Sequence, residues 1–226
     1  MRLRAEYRIG PELKFLANLD MMNVIGRTLR RAAIPYALSE GFNPHIKLSL
    51  GTVLPVGLWG EKEYFDLELT MPVETASFIV AMNNAFPSAI TIKNCIPIDN
   101  QTPSLMKVIN SASYTFKLCS GGINLDSWRE EFLSRKSLVV KSRGKKKDLD
   151  KDLRPGIFRI DVNNSQDFDI INMWVSSGEI INVRYDELSD ILLATGIDKQ
   201  NIQDVYRSGN YIKHGAEFFS PLEQVN

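Results

Sequence analysis

The chain has few of the residues that build metal sites and disulfides. Its 226 residues include two cysteines, Cys95 and Cys119, and two histidines, His45 and His214. No Cys-x-x-Cys pair occurs, which argues against a zinc site or an iron–sulfur cluster made by this chain alone. Both thiols lie in apolar contexts, so we expect them to be reduced and buried. The sequence therefore predicts no metal and no cofactor.

Long apolar runs and nucleotide-binding loops are also missing. No segment approaches the roughly 20 apolar residues that span a bilayer, and residues 1–6 lack the apolar core of a signal peptide. We therefore expect no membrane association and a cytoplasmic location. The glycines form neither a phosphate-binding loop nor a dinucleotide-binding turn, and no serine nucleophile motif is present. These absences favour a non-enzymatic protein.

Charge is balanced overall but unevenly distributed. Lysine plus arginine and aspartate plus glutamate number 27 each, so net charge favours no class of partner. Residues 135–159, however, contain ten basic and three acidic residues, a net charge of +7. At its centre Lys145, Lys146 and Lys147 repel one another, and a polyanion would relieve that repulsion and release counterions. We predict that these lysines and Arg154 bind RNA; a solvated hairpin is the alternative.

Hydrophobic periodicity predicts an α+β fold of two tandem ferredoxin-like (split βαβ) units. The first unit, residues 1–100, reads β-α-β-β-α-β. The polar, proline-containing stretch 99–104 reads as a linker. The second unit, residues 108–226, repeats the alternation of strands and helices and is decorated by the basic segment. The predicted strands are 2–9, 36–38, 47–50, 63–70, 90–98, 113–118, 138–141, 157–162, 168–175 and 202–206, and the predicted helices are 20–33, 72–86, 126–135 and 185–194.

The first predicted helix carries three arginines. Arg27, Arg30 and Arg31 spread around it, with Arg27 and Arg31 four residues apart on one face. Such a stripe can contact phosphates, or it can be a solvated face with local ion pairs. We include all three among the predicted RNA-binding residues.

A polar bend follows this helix, at residues 39–49. Asn43-Pro44 favours a turn, because proline holds the preceding residue in an extended conformation. The bend directs His45 and Lys47 to one side, where we expect both to bind RNA, with Phe42 as an apolar anchor for a partner. His45 can hold the bend by hydrogen bonds, bind a ligand, or act as an acid–base catalyst.

Several motifs resemble a bacterial family known as radical-SAM-linked proteins, whose function is uncharacterised. The resemblance covers nearly the whole chain. Its most specific block is Gly41-Phe42-Asn43-Pro44-His45, and the chain differs from the pattern at Asn18, Asn23 and Ile46, where His, Arg and Pro are usual. The other matching stretches are 13–16, 19–20, 27–32, 54–57, 63–66, 144–147, 152–155 and 220–223.

This resemblance implies a partner and a setting. Members typically occur beside, or fused to, a B12-binding-type radical SAM enzyme, and their genes often lie near ribonuclease G and ribosomal protein genes. The expected function is therefore a non-enzymatic accessory protein that acts with a radical SAM enzyme and binds or presents an RNA or ribosomal component. The alternative is a small metal-independent RNA-processing enzyme centred on His45. For the partner contact we expect the apolar pair Leu58 and Trp59, since Trp is favoured at interface centres.

Overall fold

The structure is a computed structural model that describes residues 1–121, 123–144, 149–178 and 181–223. The chain forms two compact units. The first unit comprises Met1–Ile109 together with the segment from Gly209 onward, and the second comprises Asn110–Ser208. The expected ranges, 1–100 and 108–226, differ from this grouping at the C-terminal segment. The segment joins the first unit because Asn210 Nδ2 donates to the Lys62 carbonyl, at 3.0 Å.

The first unit follows the expected order of strands and helices. Strand β1 pairs antiparallel with β3 and β4, and β2 pairs antiparallel with β3. The strand order is therefore β4-β1-β3-β2. The elements are β1 Arg2–Ile9, α1 Asn18–Arg31, β2 Leu48–Leu50, β3 Trp59–Glu68, α2 Thr75–Ala85, β4 Ile90–Ile98 and the one-turn α3 Leu105–Val108.

One face of this sheet forms the core of the first unit. Because side chains alternate along a strand, Leu3 and Ala5 on β1 point to the same side as Phe65 and Leu67 on β3. All four are fully buried, in one cluster with residues of α1 and α2. The opposite face of β1 and β3 carries charged residues, and we call it the polar face of the first unit.

The second unit has the same order of sheet strands. Its sheet runs β10-β5-β9-β8, and β6 and β7 form a separate hairpin between α4 and β8. The elements are β5 Ser111–Cys119, α4 Leu125–Ser134, β6 Val139–Lys141, β7 Asp150–Asp152, β8 Ile157–Asn164, β9 Phe168–Ser176, α5 Tyr185–Ala194 and β10 Ile202–His214. The last strand continues past residue 208 into the first unit, where β11 (Glu217–Phe219) pairs with it. The architecture is thus mixed α+β.

Two sequence expectations need correction here. Residues 99–104 are not a free linker, because the carbonyls of Thr102 and Pro103 accept hydrogen bonds from Arg2 and Arg4. Cys95 is buried, and burial raises the pKa of its thiol to about 12, but Cys119 is exposed because it ends β5. Within the described residues, no helix is long and apolar enough to cross a bilayer.

Candidate nucleic-acid interface

The bend after α1 is a closed hairpin, residues 37–47, which we call the tip hairpin. Ser39 N donates to the His45 carbonyl at 2.8 Å, and Lys47 N donates to the Ala37 carbonyl at 2.9 Å. The Ser39 hydroxyl also lies 2.8 Å from His45 Nδ1 and accepts from His45 N at 3.1 Å. His45 is therefore held at both its backbone and its ring, and the ring's other nitrogen, Nε2, has no hydrogen bond to a described residue.

The tip hairpin packs against α1. Gly26 in the middle of that helix faces Ile46, and a Cβ on Gly26 would lie only 3.2 Å from Ile46 Cδ1. Glycine inside a helix costs about 1 kcal/mol relative to alanine, so the close approach of the hairpin accounts for its presence. Gly41 has a φ of +118°, a conformation that other residues rarely adopt. The tip thus has a fixed position and a fixed backbone shape.

Phe42 lies at the end of the tip hairpin and is completely exposed, with a relative accessibility of 108%. A large apolar side chain in this position buries nothing within its own unit. Since exposure of a phenylalanine ring to water is unfavourable, the ring is available for a partner. Its use as an anchor for a partner stays a prediction.

A groove of about 260 Å³ runs beside the tip hairpin. Its charged side chains are paired: Lys47 Nζ lies 3.2 Å from Glu68, and Arg2 donates to Asp66 at 2.6 Å. Lys47 and Glu68 are about 40% exposed, so their ion pair is weak and an incoming anion can compete for the lysine. The groove is lined by Arg2, His45, Ile46, Lys47, Leu48, Ser49, Asp66 and Glu68. His45 and Lys47, predicted together, therefore share one concave surface.

The three arginines of α1 have different roles. The side chains of Arg27 and Arg30 are exposed and make no hydrogen bond or ion pair with any described residue. Arg31 donates to the Ala85 carbonyl at 2.8 Å and to the Thr28 hydroxyl at 3.2 Å, which ties α1 to the end of α2. The stripe expected of Arg27 and Arg31 is thus reduced, because Arg31 is occupied within the fold.

The basic window is mostly neutralised by partners inside the second unit. Arg143 makes two hydrogen bonds to Asp190, at 2.8 and 2.9 Å, and Lys151 donates to the buried Glu187 at 2.6 Å. Further ion pairs join Arg135 to Glu131, Lys141 to Asp150 and Arg159 to Asp161. The net charge of the window therefore overstates the positive surface that a ligand meets.

Arg154 and the lysine triplet are the residues of this window that were predicted to contact RNA. Arg154 donates to the carbonyls of Leu133, Arg135 and Ile157, so its guanidinium holds the end of α4 in place. The prediction of Arg154 as an RNA contact is corrected on that ground. The triplet Lys145, Lys146 and Lys147 lies outside the described residues.

The expected partner surface at Leu58 and Trp59 is buried. Leu58 is 3% exposed and Trp59 is 8% exposed, with the Arg8 guanidinium 5.1 Å from the Trp59 ring. Trp59 is the first residue of β3 and Leu58 precedes it. Because both side chains are buried, they offer no exposed apolar pair. Exposed apolar side chains occur instead at Phe15, Val53 and Val56 on loops and at Leu19 in the first turn of α1.

Sequence reasoning missed a buried ion pair on the polar face of the first unit. Arg4 is 0% exposed and donates to both carboxylate oxygens of Asp66, at 2.7 and 3.0 Å. Its remaining donors reach the carbonyls of Pro103 and Pro221, at 3.0 and 3.2 Å. The alternation of Arg2, Arg4 and Glu6 along a strand was the available signal, since it gives the strand a second, charged face.

Tyr64 joins the polar face to the C-terminal motif that the family resemblance singled out. Its hydroxyl donates to Glu6 at 2.5 Å and lies 3.4 Å from the Ser220 hydroxyl. Burial, and next the nearby Glu6 carboxylate, raise the pKa of Tyr64 far above its ordinary value of 10. Motifs far apart in sequence, around residues 63–66 and 220–223, therefore meet as structural parts of one unit.

A small cavity lies next to this cluster. Its volume of about 20 Å³ holds about one water molecule. Asn18, Glu63 and Tyr64 contribute to its lining, and Glu63 also accepts from Asn210 at 3.3 Å. Asn18 is the position at which the resembling family usually has histidine, so this departure falls at an internal site, away from the tip hairpin.

A family model matches residues 2–185 of the chain. The chain belongs to that family. The family is described as "uncharacterized protein conserved in bacteria (DUF2344)", so membership in it assigns no activity to the chain. No curated protein matches the chain.

Two solved structures show what the fold resembles. A chain in the crystal structure of a Cbf5–Nop10–Gar1 complex is 12% identical and has a TM-score of 0.51, over 95% of this chain and 50% of that one. A chain in the structure of an H/ACA RNP bound to a substrate RNA is also 12% identical, with a TM-score of 0.45 over 98% and 49%. This chain thus spans about half the length of either, and the first likeness shows a shared fold alone.

Proposed function

We propose that this protein is a non-catalytic accessory protein that binds RNA through the tip hairpin of its first unit. The observation that carries the proposal is a fully exposed phenylalanine, Phe42, fixed beside a groove that contains His45 and Lys47. Proteins that bind single-stranded nucleic acid combine aromatic stacking platforms with cationic grooves that follow the backbone. The tip hairpin has both parts within a few residues.

The polar side chains of the groove suit a phosphate. Lys47 supplies positive charge, because an anion can displace the exposed Glu68, and His45 supplies a ring held in place by Ser39. Arg27 and Arg30 on α1 add two exposed cations without a described partner. Contacts of this kind position an RNA without reading its sequence. We therefore expect sequence-tolerant, salt-sensitive binding.

The geometry around His45 favours binding over catalysis. A general base requires a group that orients it and a second group that completes the proton transfer. The described partner of the His45 ring is a serine hydroxyl, and the two carboxylates of the groove, Glu68 and Asp66, are paired with Lys47 and Arg2. RNA cleavage by the purified protein without metal would support the alternative of a small RNA-processing enzyme.

The test of this function is RNA binding by Phe42→Ala and His45→Ala variants. We expect Phe42→Ala to weaken binding about five- to a hundredfold, the usual range for one stacked base, while the thermal midpoint stays at the wild-type value. The matched control is Phe15→Ala, which removes another exposed phenylalanine of the same unit, 72% exposed. Equal affinities for wild type, Phe42→Ala and Phe15→Ala would refute the proposal.

The lysine triplet is a second, electrostatic contribution to the same function. Changing Lys145, Lys146 and Lys147 together to alanine is expected to weaken binding of different RNA sequences alike, and to flatten the salt slope by about three units at most. An unchanged affinity and slope would remove the triplet from the proposed interface.

The proposed protein partner is a radical SAM enzyme, and its support is the family resemblance. With Leu58 and Trp59 buried, the exposed residues Phe15, Leu19 and Val56 become the candidate contact. The loops of Phe15 and Val56 lie together, because Gly57 N donates to the Lys14 carbonyl at 2.7 Å, and Leu19 is in the first turn of α1. Co-elution of the two proteins should be lost in Phe15→Ala and kept in Phe42→Ala. Separate elution of the wild-type proteins would contradict the partnership.

Two finer proposals accompany the function. The identical strand order of the two sheets, with the second and fourth strand of each preceded by a helix or by a helix and a hairpin, supports tandem split βαβ units. A cytoplasmic location fits an RNA or ribosomal target. Both follow from the same reading of the chain as an RNA-associated accessory protein.

A further inference from the structure

Strand β9 of the second unit presents two different faces. Ile171 and Met173 are fully buried and belong to the apolar side that the helices cover. Phe168, Asn172 and Trp174 alternate with them, so they lie on the other side, and all three are half-buried. We call this second side the polar face of the second unit.

At one end of this face, Trp174 is held beside an arginine. It pairs across the sheet with Arg159, whose guanidinium lies 5.8 Å from the indole ring. Asp161 holds both partners, because it accepts from Trp174 Nε1 at 3.2 Å and from Arg159 Nε at 2.8 Å. The Arg159 side chain is nevertheless 59% exposed. The cluster is thus an oriented aromatic ring with an accessible cation.

A second aromatic ring and cation lie farther along the same face. Lys117 Nζ of β5 is 4.0 Å from the centre of the Phe168 ring. Phe168 and Trp174 are six residues apart, which corresponds to about 20 Å along an extended strand. That length suits a short single strand, at the lower end of the about 4–16 nucleotides that such platforms cover.

Between the two aromatic residues lies a side-chain amide with free donors. Asn172 Oδ1 accepts from Ser208 Oγ at 3.2 Å and from Thr115 Oγ1 at 3.4 Å. Its Nδ2 group makes no hydrogen bond with any described residue. Two N–H donors are therefore available for the acceptor atoms of a base.

We propose that the polar face of the second unit binds single-stranded RNA, with bases stacked on Trp174 and Phe168 and phosphates near Arg159 and Lys117. The inference rests on the proposed RNA function and adds a second site to it. A four-stranded sheet whose aromatic residues stack two or three bases is a recurring mode of RNA recognition. Stacking requires unpaired bases, so this site should reject duplex RNA.

The experiment measures fluorescence anisotropy of a labelled oligouridylate of about 12 nucleotides, within the site sizes of such platforms, and of a matched duplex. Trp174→Ala should weaken single-strand binding about tenfold. Trp174→Phe keeps a ring for stacking and should retain most of the affinity. Arg159→Ala should lower the salt slope by about one unit, whereas Lys136→Ala, which removes an exposed cation of the same unit away from the polar face, should not.

The two RNA sites fail separately in this experiment. If Trp174→Ala and Arg159→Ala bind as wild type while Phe42→Ala is weakened, the second site is wrong and the tip hairpin stands. If Trp174→Ala is weakened and Phe42→Ala is not, the second site stands and the proposed role of the tip hairpin is wrong. Absence of binding by the wild-type protein overturns both. Should Trp174→Ala fail to fold, judged by circular dichroism, Trp174→Phe and Arg159→Ala decide in the same way.

Discussion

The polar faces of the two units contain the same kind of pair in opposite surroundings. In the first unit Arg4 and Asp66 are 0% and 3% exposed, and in the second unit Arg159 and Asp161 are 59% and 41% exposed. Both pairs lie on the non-core side of a sheet with the strand order last, first, third, second. The difference lies in what covers the sheet, because one pair is buried by other parts of the chain and the other pair is accessible to solvent.

In the first unit the cover comes from the same chain. Residues 99–109 and the segment from Ser220 lie over the polar face: Leu105, Ile109 and Leu222 pack around Tyr64, and two main-chain carbonyls accept from Arg4. A buried arginine is stable only when its charge is paired and its nitrogens are hydrogen-bonded, and each of the three nitrogens of the Arg4 guanidinium makes at least one hydrogen bond. We infer that the part of this face around Arg4 and Tyr64 is closed to ligands, whereas its edge beside the tip hairpin forms the groove.

The largest expected difference between the two polar faces is the loss of stability when one carboxylate charge is removed from each. Asp66→Asn leaves Arg4 as an uncompensated buried charge and should lower the free energy of unfolding by about 3–5 kcal/mol. The matched change Asp161→Asn affects an exposed pair and should cost less than about 1 kcal/mol. Urea unfolding followed by circular dichroism measures both. Similar losses for the two variants would mean that the faces do not differ as described.

Alkaline pH should destabilise the first unit through Tyr64. Its folded pKa is raised, first by burial and then by Glu6, whereas an unfolded tyrosine titrates near 10. The stabilisation is therefore complete below about pH 10 and is lost as the pH rises above it, by up to about 1.4 kcal/mol per pH unit. Stability measured by urea unfolding from pH 8 upward, in wild type and Tyr64→Phe, checks this loss.

In that series the loss of unfolding free energy per pH unit should be smaller in Tyr64→Phe than in wild type. Glu6→Gln should reduce the loss in part, because it removes the carboxylate that is the second cause of the raised Tyr64 pKa. A wild-type slope in Tyr64→Phe would show that other groups produce the alkaline loss. The first unit would then lack the closed polar face inferred for it.

A smaller effect should be visible in tryptophan fluorescence. Trp59 and Trp128 are 8% and 6% exposed, whereas Trp174 is half-buried. Acrylamide should therefore quench mainly Trp174, and Trp174→Phe should leave the remaining emission largely protected. Unchanged quenching in Trp174→Phe would show that the polar face of the second unit is closed as well.

The smallest expected change concerns arginines outside both polar faces. Arg27→Ala removes an exposed side chain without a described partner and should alter stability by less than about 0.5 kcal/mol. Arg31→Ala loses hydrogen bonds to Ala85 and Thr28 and should cost about 1 kcal/mol. Thermal unfolding of both variants measures the difference. Equal costs would mean that the hydrogen bonds of Arg31 contribute nothing.

Sequence patterns predicted the elements well because one face of each strand and helix is apolar. The helix at Tyr185–Ala194 and the strands at Arg2–Ile9 and Ile90–Ile98 have the predicted bounds. Non-local contacts were not predictable. Arg4 reads as a surface residue, and its burial depends on Asp66, Pro103 and Pro221, which are distant in sequence.

The candidate sites divide in the same way. The bend at His45 was recognisable from Asn43-Pro44, but the hydroxyl of Ser39 that orients its ring was not. Trp174 and Arg159 were overlooked because they lie on different strands, and only the antiparallel register of β8 and β9 brings them together. Leu58 and Trp59 were misjudged because an apolar pair beside a turn suits a surface contact and a strand start equally.

The central claim is that this chain binds RNA directly, at the tip hairpin and at the polar face of the second unit. Ultraviolet cross-linking of the full chain to single-stranded RNA, followed by mass spectrometry of the cross-linked peptides, tests it most directly. We expect cross-links at Phe42 or His45 and at Trp174 or Phe168. The yield of these cross-links should fall at high salt, and none should form with duplex RNA. Cross-links absent from both regions, or found only around the buried polar face of the first unit, would contradict it.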